Sequence, residues 1–351
     1  MTWRGVIAEF REHLPLDPGI EEVTLLEGNT PLVDAPRVAQ LLGFDGRLLL
    51  KCEGLNPTGS FKDRGMSVAI SAAASQGAKA VICASTGNTS ASAAAYAAKA
   101  GLRALVIVPA GKITAGKLGQ AVVHGARVAV IDGSFDEALE IVRDIAGSGR
   151  AVVVNSINPY RIQGQKTAAF EICGALGGTP DYHFLPVGNA GNITAYWLGY
   201  GEYHEAGRIE SKPRMMGFQA EGAAPIVSGH VVAAPETVAT AIRIGNPANW
   251  KGALTARDES EGVIESVSDA EILRCYRLVA AAEGIFCEPA SAASLAGLKK
   301  MVAAGKIESS ATAVCTLTGH GLKDPDTAKS ESPPPLKVPA EVGAVAKVLD
   351  L

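Results

Sequence analysis

Ala80-Val81-Ile82-Cys83-Ala84-Ser85-Thr86-Gly87-Asn88-Thr89-Ser90 carries five apolar residues straight into six small, mostly polar ones. An Ala-rich stretch at 89–100 follows, stops at Gly101, and gives way to Ala104-Leu105-Val106-Ile107-Val108. Short continuous apolar runs suit strands buried on both faces, and a glycine just past an alanine-rich stretch is a helix stop. The same beat extends in both directions. A helical stretch at 63–76 ends at Gly77; residues 114–124 end near Gly125 and precede Val128-Ala129-Val130-Ile131; residues 135–146 precede Ala151-Val152-Val153-Val154. Four such strands alternating with helices imply a parallel sheet covered on both faces.

A second set lies further along the chain. Helices are expected at 163–176, 193–205, 269–283 and 291–304, and strands at 182–187, 214–219, 263–267 and 312–317. Ser268-Asp269-Ala270-Glu271 has the spacing of a capping box, which fixes the start of one of these helices. Residues 243–262 read as irregular and 324–338, rich in proline, as an extended surface tail. The expected fold class is therefore α/β, with two open, twisted, mostly parallel sheets flanked by helices.

A chain of 351 residues is longer than one hydrophobic core usually serves, so two domains are expected. With 47% hydrophobic and 19% charged residues the composition is that of a compact protein rather than a disordered one. A net charge of −4 without blocks of like charge argues against nucleic acid as a partner. No apolar run approaches the ~18 residues needed to cross a bilayer, and the N-terminus lacks a signal core, so no membrane association and a cytoplasmic location are expected. The six cysteines are scattered, with no CxxC pair, and read as small buried hydrophobes rather than metal ligands.

Four segments sit where an apolar run meets a helix, the place at which open α/β sheets collect ligands. In Asn56-Pro57-Thr58-Gly59-Ser60-Phe61-Lys62-Asp63-Arg64-Gly65, Lys62 by itself reads more readily as a surface cation than as a catalyst. Phe61 beside it would supply an apolar setting that lowers the ammonium pKa and frees a nucleophilic amine. Ser85-Thr86-Gly87-Asn88-Thr89-Ser90 gathers hydroxyls, an amide and free backbone N–H groups at a helix start, enough for a carboxylate, though one hydroxyl would serve for a cap. Gly188-Asn189-Ala190-Gly191-Asn192 can wrap a phosphate with backbone amides or make a plain tight turn; it is neither a dinucleotide fingerprint nor a Walker loop. In Thr318-Gly319-His320-Gly321-Leu322-Lys323-Asp324, Thr318 can set a hydroxyl beside a ligand ring, while His320 reads as a hydrogen-bonded turn histidine.

Taken in this order, and with Gly28-Asn29-Thr30-Pro31-Leu32 ahead of them, the segments resemble the pyridoxal-phosphate enzymes of fold type II, most closely the short bacterial threonine synthases. The resemblance spans about residues 23 to 324. It implies pyridoxal 5'-phosphate as cofactor and an active site between a large domain, 1–53 plus 155–351, and a small mobile domain, 54–154, that closes over the substrate. It further implies Lys62 as the lysine that carries the cofactor and moves protons. Gly188, Asn189, Ala190, Gly191 and Asn192 would hold the cofactor phosphate, Asn88 its ring hydroxyl and Thr318 its ring nitrogen. Ser85, Thr86 and Thr89 would receive the substrate carboxylate. Asn155, Ser156 and Arg161 would take the phosphate of O-phosphohomoserine, a leaving group that calls for a cation. A threonine at the ring nitrogen would limit charge flow into the ring and disfavour transamination. The resemblance also implies a homodimer and, without a long N-terminal extension, no control by S-adenosylmethionine. A serine/threonine dehydratase of the same fold is the competing expectation.

Overall fold

The computed structural model describes residues 2–110 and 115–351. Among the described residues ten strands form two sheets: β1 (Leu32–Asp34), β2 (Arg47–Cys52), β3 (Ala80–Ala84), β4 (Arg103–Pro109), β5 (Arg127–Ile131), β6 (Val152–Val153), β7 (Tyr182–Pro186), β8 (Arg214–Ala220), β9 (Val263–Val267) and β10 (Thr312–Leu317). Six of them run in the order β1-β2-β10-β7-β8-β9 and four in the order β5-β4-β3-β6. Every pairing is parallel except that of β1 with β2.

The alternation of side chains across each strand divides these apolar runs between two cores. On β2, Leu48, Leu50 and Cys52 face one cluster and Leu49 the other; on β10, Ala313, Cys315 and Leu317 oppose Val314 in the same way. On β3, Val81 and Cys83 point to one side and Ala80, Ile82 and Ala84 to the other. Both sheets are thus covered on both faces, as continuous apolar runs require. All six cysteines are buried with free thiols.

Several expected elements differ in detail. The helix read at 163–176 is two, Pro159–Gln165 and Thr167–Leu176, broken at Lys166. Asn158 caps the first by accepting from Tyr160 N, and Pro159 opens it, a start signal the apolar pattern obscured. The stretch 243–262 contains a helix, Trp250–Glu259. The tail begins with a short helix, Pro325–Ser330, capped by the Asp324 side chain rather than extended. The helix expected at 114–124 is seen at Ala115–Val123, Thr114 lying outside the described residues. The capping box at Ser268 and Glu271 is present.

Two contacts decide where the first helix of the four-stranded unit sits. Helix Lys62–Ser75 crosses helix Pro159–Gln165 backbone to backbone: a Cβ on Gly164 would lie 2.2 Å from the Arg64 carbonyl oxygen, and one on Gly65 2.5 Å from that of Arg161. Beside the crossing, buried Arg64 gives Nε and Nη2 to Glu53 (both 2.7 Å) and Nη1 and Nη2 to Glu171 (2.6 and 2.7 Å). Lys51 Nζ completes the cluster at 2.6 Å from Glu171 and 2.7 Å from the Thr30 carbonyl. Two cations balance two carboxylates, so no net charge is left in the interior. Arg64 lies two residues beyond Lys62, while its partners belong to the turn after β2, to Thr30 ahead of β1, and to helix Thr167–Leu176.

Candidate active site

Helix Lys62–Ser75 starts on the lysine itself. Backbone bonds hold its lead-in to remote segments: Phe61 N donates to Thr318 O (3.0 Å), His320 N to Gly59 O (2.9 Å) and Glu288 N to Gly319 O (2.9 Å). Three segments remote in sequence thereby lie side by side. Asp63 ties the loop down, accepting from Thr58 N, Thr58 Oγ1 and Ser92 Oγ, each at 2.6 Å. Burial still pushes Asp63 up to about 6 against these bonds. The Lys62 amine rests 4.1 Å from the centre of the Phe61 ring. Loss of hydration, with Arg161 adding to it and Glu288 opposing, brings this amine down to about 7. The apolar setting inferred from Phe61 is real, and an amine so placed is a nucleophile near neutral pH.

Arg161 comes to Lys62 through the glycine crossing. Its side chain is 1% exposed; Nη1 donates to Val154 O at 2.6 Å, and Nε is buried without a partner. Burial lowers even this guanidinium to about 10, with Cys83 and Asp63 opposing the shift. A buried cation with an unpaired donor is costly unless an anion completes it. Asn155 is spoken for on one side: Oδ1 accepts from Ala84 N (3.0 Å) and Nδ2 donates to Ala84 O (2.9 Å), extending the β3–β6 pairing by a side chain. Ser156 follows in the turn and is partly exposed.

At the end of β3, Ser85, Thr86 and Thr89 are partly exposed around the start of helix Asn88–Lys99. Ser85 Oγ accepts from Gly87 N at 3.2 Å, leaving its proton for a ligand. Asn88 reaches across to the other sheet, where Nδ2 lies 3.2 and 3.1 Å from the two carboxylate oxygens of Glu288. Thr318 Oγ1 is 3.3 Å from the same carboxylate and 3.0 Å from Ser291 Oγ. His320 Nδ1 accepts from Leu322 N, so it is the turn histidine expected.

The loop Gly188–Asn192 stands at the start of helix Gly191–Glu205, with Ala190 in the left-handed region at φ 63. A Cβ on Gly188 would come within 2.9 Å of Ile242 Cα, so the backbone leaves no room for a side chain there. Asn189 is held by Ala248 N on its side chain and Asn249 N on its carbonyl, both at 3.1 Å. Asn192 is buried with its side-chain oxygen unpaired. A Cβ on Gly191 would lie 3.4 Å from Ile162, the neighbour of Arg161. A cup of backbone amides at a helix start, with no room for a side chain at Gly188, fits the phosphate of a phosphate-bearing aldehyde cofactor, and the Lys62 amine is the group that would bond its aldehyde.

Lys62, Asn88, Thr318 and Arg161 are thus brought together from both units, with Gly191 beside Ile162. Three participants escaped the sequence reading. Glu288 and Ser291 flank Pro289 where the apolar Ile285-Phe286-Cys287 meets a helix, the same signal as the other four segments. Asn249 lay in the stretch read as irregular. Among the described residues no cluster of metal-ligating side chains occurs, and no helix is long and apolar enough to cross a membrane.

Comparison with known proteins gives the family. The family model of pyridoxal-phosphate dependent enzymes matches residues 23–319. The chain is 58% identical to the threonine synthase of Synechocystis sp. over 94% of its length and 86% of that protein's. It is 57% identical to the threonine synthase of Mycobacterium leprae, over 99% of its own length and 97% of the other. Among solved structures, the processed threonine deaminase isoform 2 of Solanum lycopersicum superposes with a TM-score of 0.74 at 21% identity, covering 87% and 88% of the two chains. At that identity the likeness speaks for the fold alone.

Proposed function

The chain belongs to the pyridoxal-phosphate dependent enzymes and, within them, to the threonine synthases, and from that premise we propose which of its residues carry the reaction. The reaction turns O-phosphohomoserine and water into threonine and phosphate. Bound pyridoxal phosphate supplies an electron sink for charge developing on the substrate carbon skeleton. Lys62 would hold the cofactor and, as the free amine, would take the proton from Cα, give it up again, and then take one from Cβ. An amine near 7 suits both tasks, being neutral in a substantial fraction at physiological pH. Gly188, Asn189, Ala190, Gly191 and Asn192 receive the cofactor phosphate; Asn88 meets the ring hydroxyl and Thr318 the ring nitrogen. Ser85, Thr86 and Thr89 take the substrate carboxylate at the helix start.

The observation that carries the substrate assignment is Arg161, a buried cation with an unpaired Nε beside Lys62. A departing phosphate satisfies it; the leaving hydroxyl of a dehydratase substrate would not. Asn155 and Ser156 join it through the amide proton and hydroxyl that remain free. For the closing motion we assign the four-stranded sheet with its helices, residues 80–153, rather than all of 54–154. Helix Lys62–Ser75 is pinned to the larger body by the glycine crossing and the Arg64 cluster. A cytoplasmic homodimer completes the proposal.

The test is to offer the purified protein O-phosphohomoserine and threonine separately, measuring phosphate and 2-oxobutyrate. Phosphate release that is lost in Arg161→Ala, with the cofactor's visible absorption retained, is the expected result. Unchanged phosphate release in that variant would remove Arg161 from the site, and 2-oxobutyrate as main product would favour the dehydratase.

A further inference from the structure

Glu288 has no part in the assignments above, yet it touches two of the residues in them. It is 4% exposed. One carboxyl oxygen lies 3.2 Å from Asn88 Nδ2 and 3.3 Å from Thr318 Oγ1, the other 3.1 Å from Asn88 Nδ2. The carboxyl lies flat on the next turn of chain: a Cβ on Gly319 would stand 2.4 Å from it. Its backbone N is bonded to the Gly319 carbonyl at 2.9 Å, so it has little freedom to move away.

Counting protons gives this arrangement its meaning. Thr318 has one hydroxyl proton. Ser291 Oγ, 3.0 Å away, also contacts Gly319 O (3.4 Å) and accepts from Gly319 N (3.1 Å). An ionised Glu288 can only accept, and it would draw the Thr318 proton towards itself. The face of Thr318 turned to the cofactor ring would then offer lone pairs to a ring nitrogen that also carries one. A protonated Glu288 donates to Thr318 Oγ1 instead and releases the threonine proton to the ring. We propose that Glu288 is a positioning residue that acts as a carboxylic acid, turning the Thr318 hydroxyl towards the ring nitrogen while its other oxygen anchors the Asn88 amide.

Burial raises this carboxyl above its ordinary range, against Asn88, Lys323, Lys62 and Thr318. Of the two cations, Lys323 directs its amine to Thr58 O (2.8 Å) and Gln120 Oε1 (2.6 Å), and loss of hydration brings the Lys62 amine down to about 7. Cys287, next in the chain, favours the neutral acid of Glu288 if it bears charge at all, and its own thiol is pushed up by burial. His320 packs at the Cys287 backbone and directs Nδ1 to Leu322 N.

The inference rests on the proposed roles of Lys62, Asn88 and Thr318. It is tested on cofactor-loaded protein with Glu288→Gln, Glu288→Ala and Thr318→Val, reading cofactor affinity and the pH dependence of the visible spectrum. Glutamine accepts from Asn88 and donates to Thr318 as the neutral acid does. It should hold the cofactor within about threefold of the parent, with a spectrum that no longer changes as pH rises, while alanine weakens binding about tenfold or more. In the Thr318→Val background, Glu288→Gln should have no further effect on the spectrum. If glutamine proves as damaging as alanine, the carboxylate is the working form and the inference fails. If alanine matches the parent, Glu288 has no role. Borohydride reduction of the parent separates these results from failure of the site reading: cofactor fixed elsewhere than Lys62 would overturn both. Thermal unfolding of each variant without cofactor identifies any that lose the fold, and Thr318→Val then carries the comparison, since an unchanged spectrum in it would also overturn the inference.

Discussion

At the scale of single residues the site combines buried polar atoms without a partner, Arg161 Nε and Asn192 Oδ1, with partly exposed groups. Lys62 is of the second kind, and loss of hydration and Arg161 both act against its ammonium form. Its amine should therefore be neutral above about 7 and protonated below. Pyridoxal phosphate added to cofactor-free protein should attach at a rate that rises with pH and levels off just above neutrality. Stopped-flow absorbance across a pH series reads this directly; a rise that continues towards the range of an ordinary lysine, about 10.4, would show the amine to be solvated. The lysine was legible in the sequence as a candidate and the reason for its acidity was only half so. Phe61 adjoins it in the chain, whereas Arg161 lies a hundred residues away and arrives through tertiary packing. Glu288 and Ser291 were missed although they carry the same local signal as the segments that were found, an apolar run ending in polar residues before a helix.

At the scale of elements, periodicity and glycine stops located β3 to β10, because continuous apolar runs between glycines admit few other readings, whereas β1 and β2 went unread. Helix boundaries were less legible. The break at Lys166 leaves no gap in the apolar pattern, since Thr167, Ala168 and Ala169 continue it, and only Asn158-Pro159 marks the true start. The crossing of the two glycine-bearing helices was invisible for a different reason: each glycine looks like a tolerated helix interior residue until its partner is known. Gly164→Ala tests it. The added methyl would stand 2.2 Å from the Arg64 carbonyl oxygen, so the helices must part. Overpacking of this kind typically costs about 1–3 kcal/mol, to be measured as a lower urea midpoint. Because Lys62 and Arg161 sit on the two helices, the variant should also lose phosphate release more than stability alone accounts for. A variant as stable and active as the parent would show that the backbone contact is not tight.

At the scale of the whole molecule, a polar clasp, the Arg64 cluster, joins the first helix of the four-stranded unit to the six-stranded one. The two-sheet architecture could be read from the count of strand–helix beats, but the order β1-β2-β10-β7-β8-β9 could not, since β2 and β10 meet from opposite ends of the chain. The Arg64 cluster ties helix Lys62–Ser75 to β2 and to helix Thr167–Leu176, so closure should leave this helix in place. Hydrogen exchange with and without a slowly turned-over substrate analogue should show added protection in β4, β5 and the helix Phe135–Gly147, with little change across Lys62–Ser75. Equal protection of both would mean that the clasp travels with the small sheet.

The burial of every thiol has a practical consequence. None of the six should react with an alkylating reagent while the chain is folded, so each alkylation event records an opening of the structure. Cys83 lies in the core of the four-stranded sheet, and Cys52, Cys275, Cys287 and Cys315 in that of the six-stranded one. The chain thus holds native clocks for its two halves. Mass spectrometry of timed labelling would reveal whether they open together or one before the other, and whether cofactor slows one clock or both.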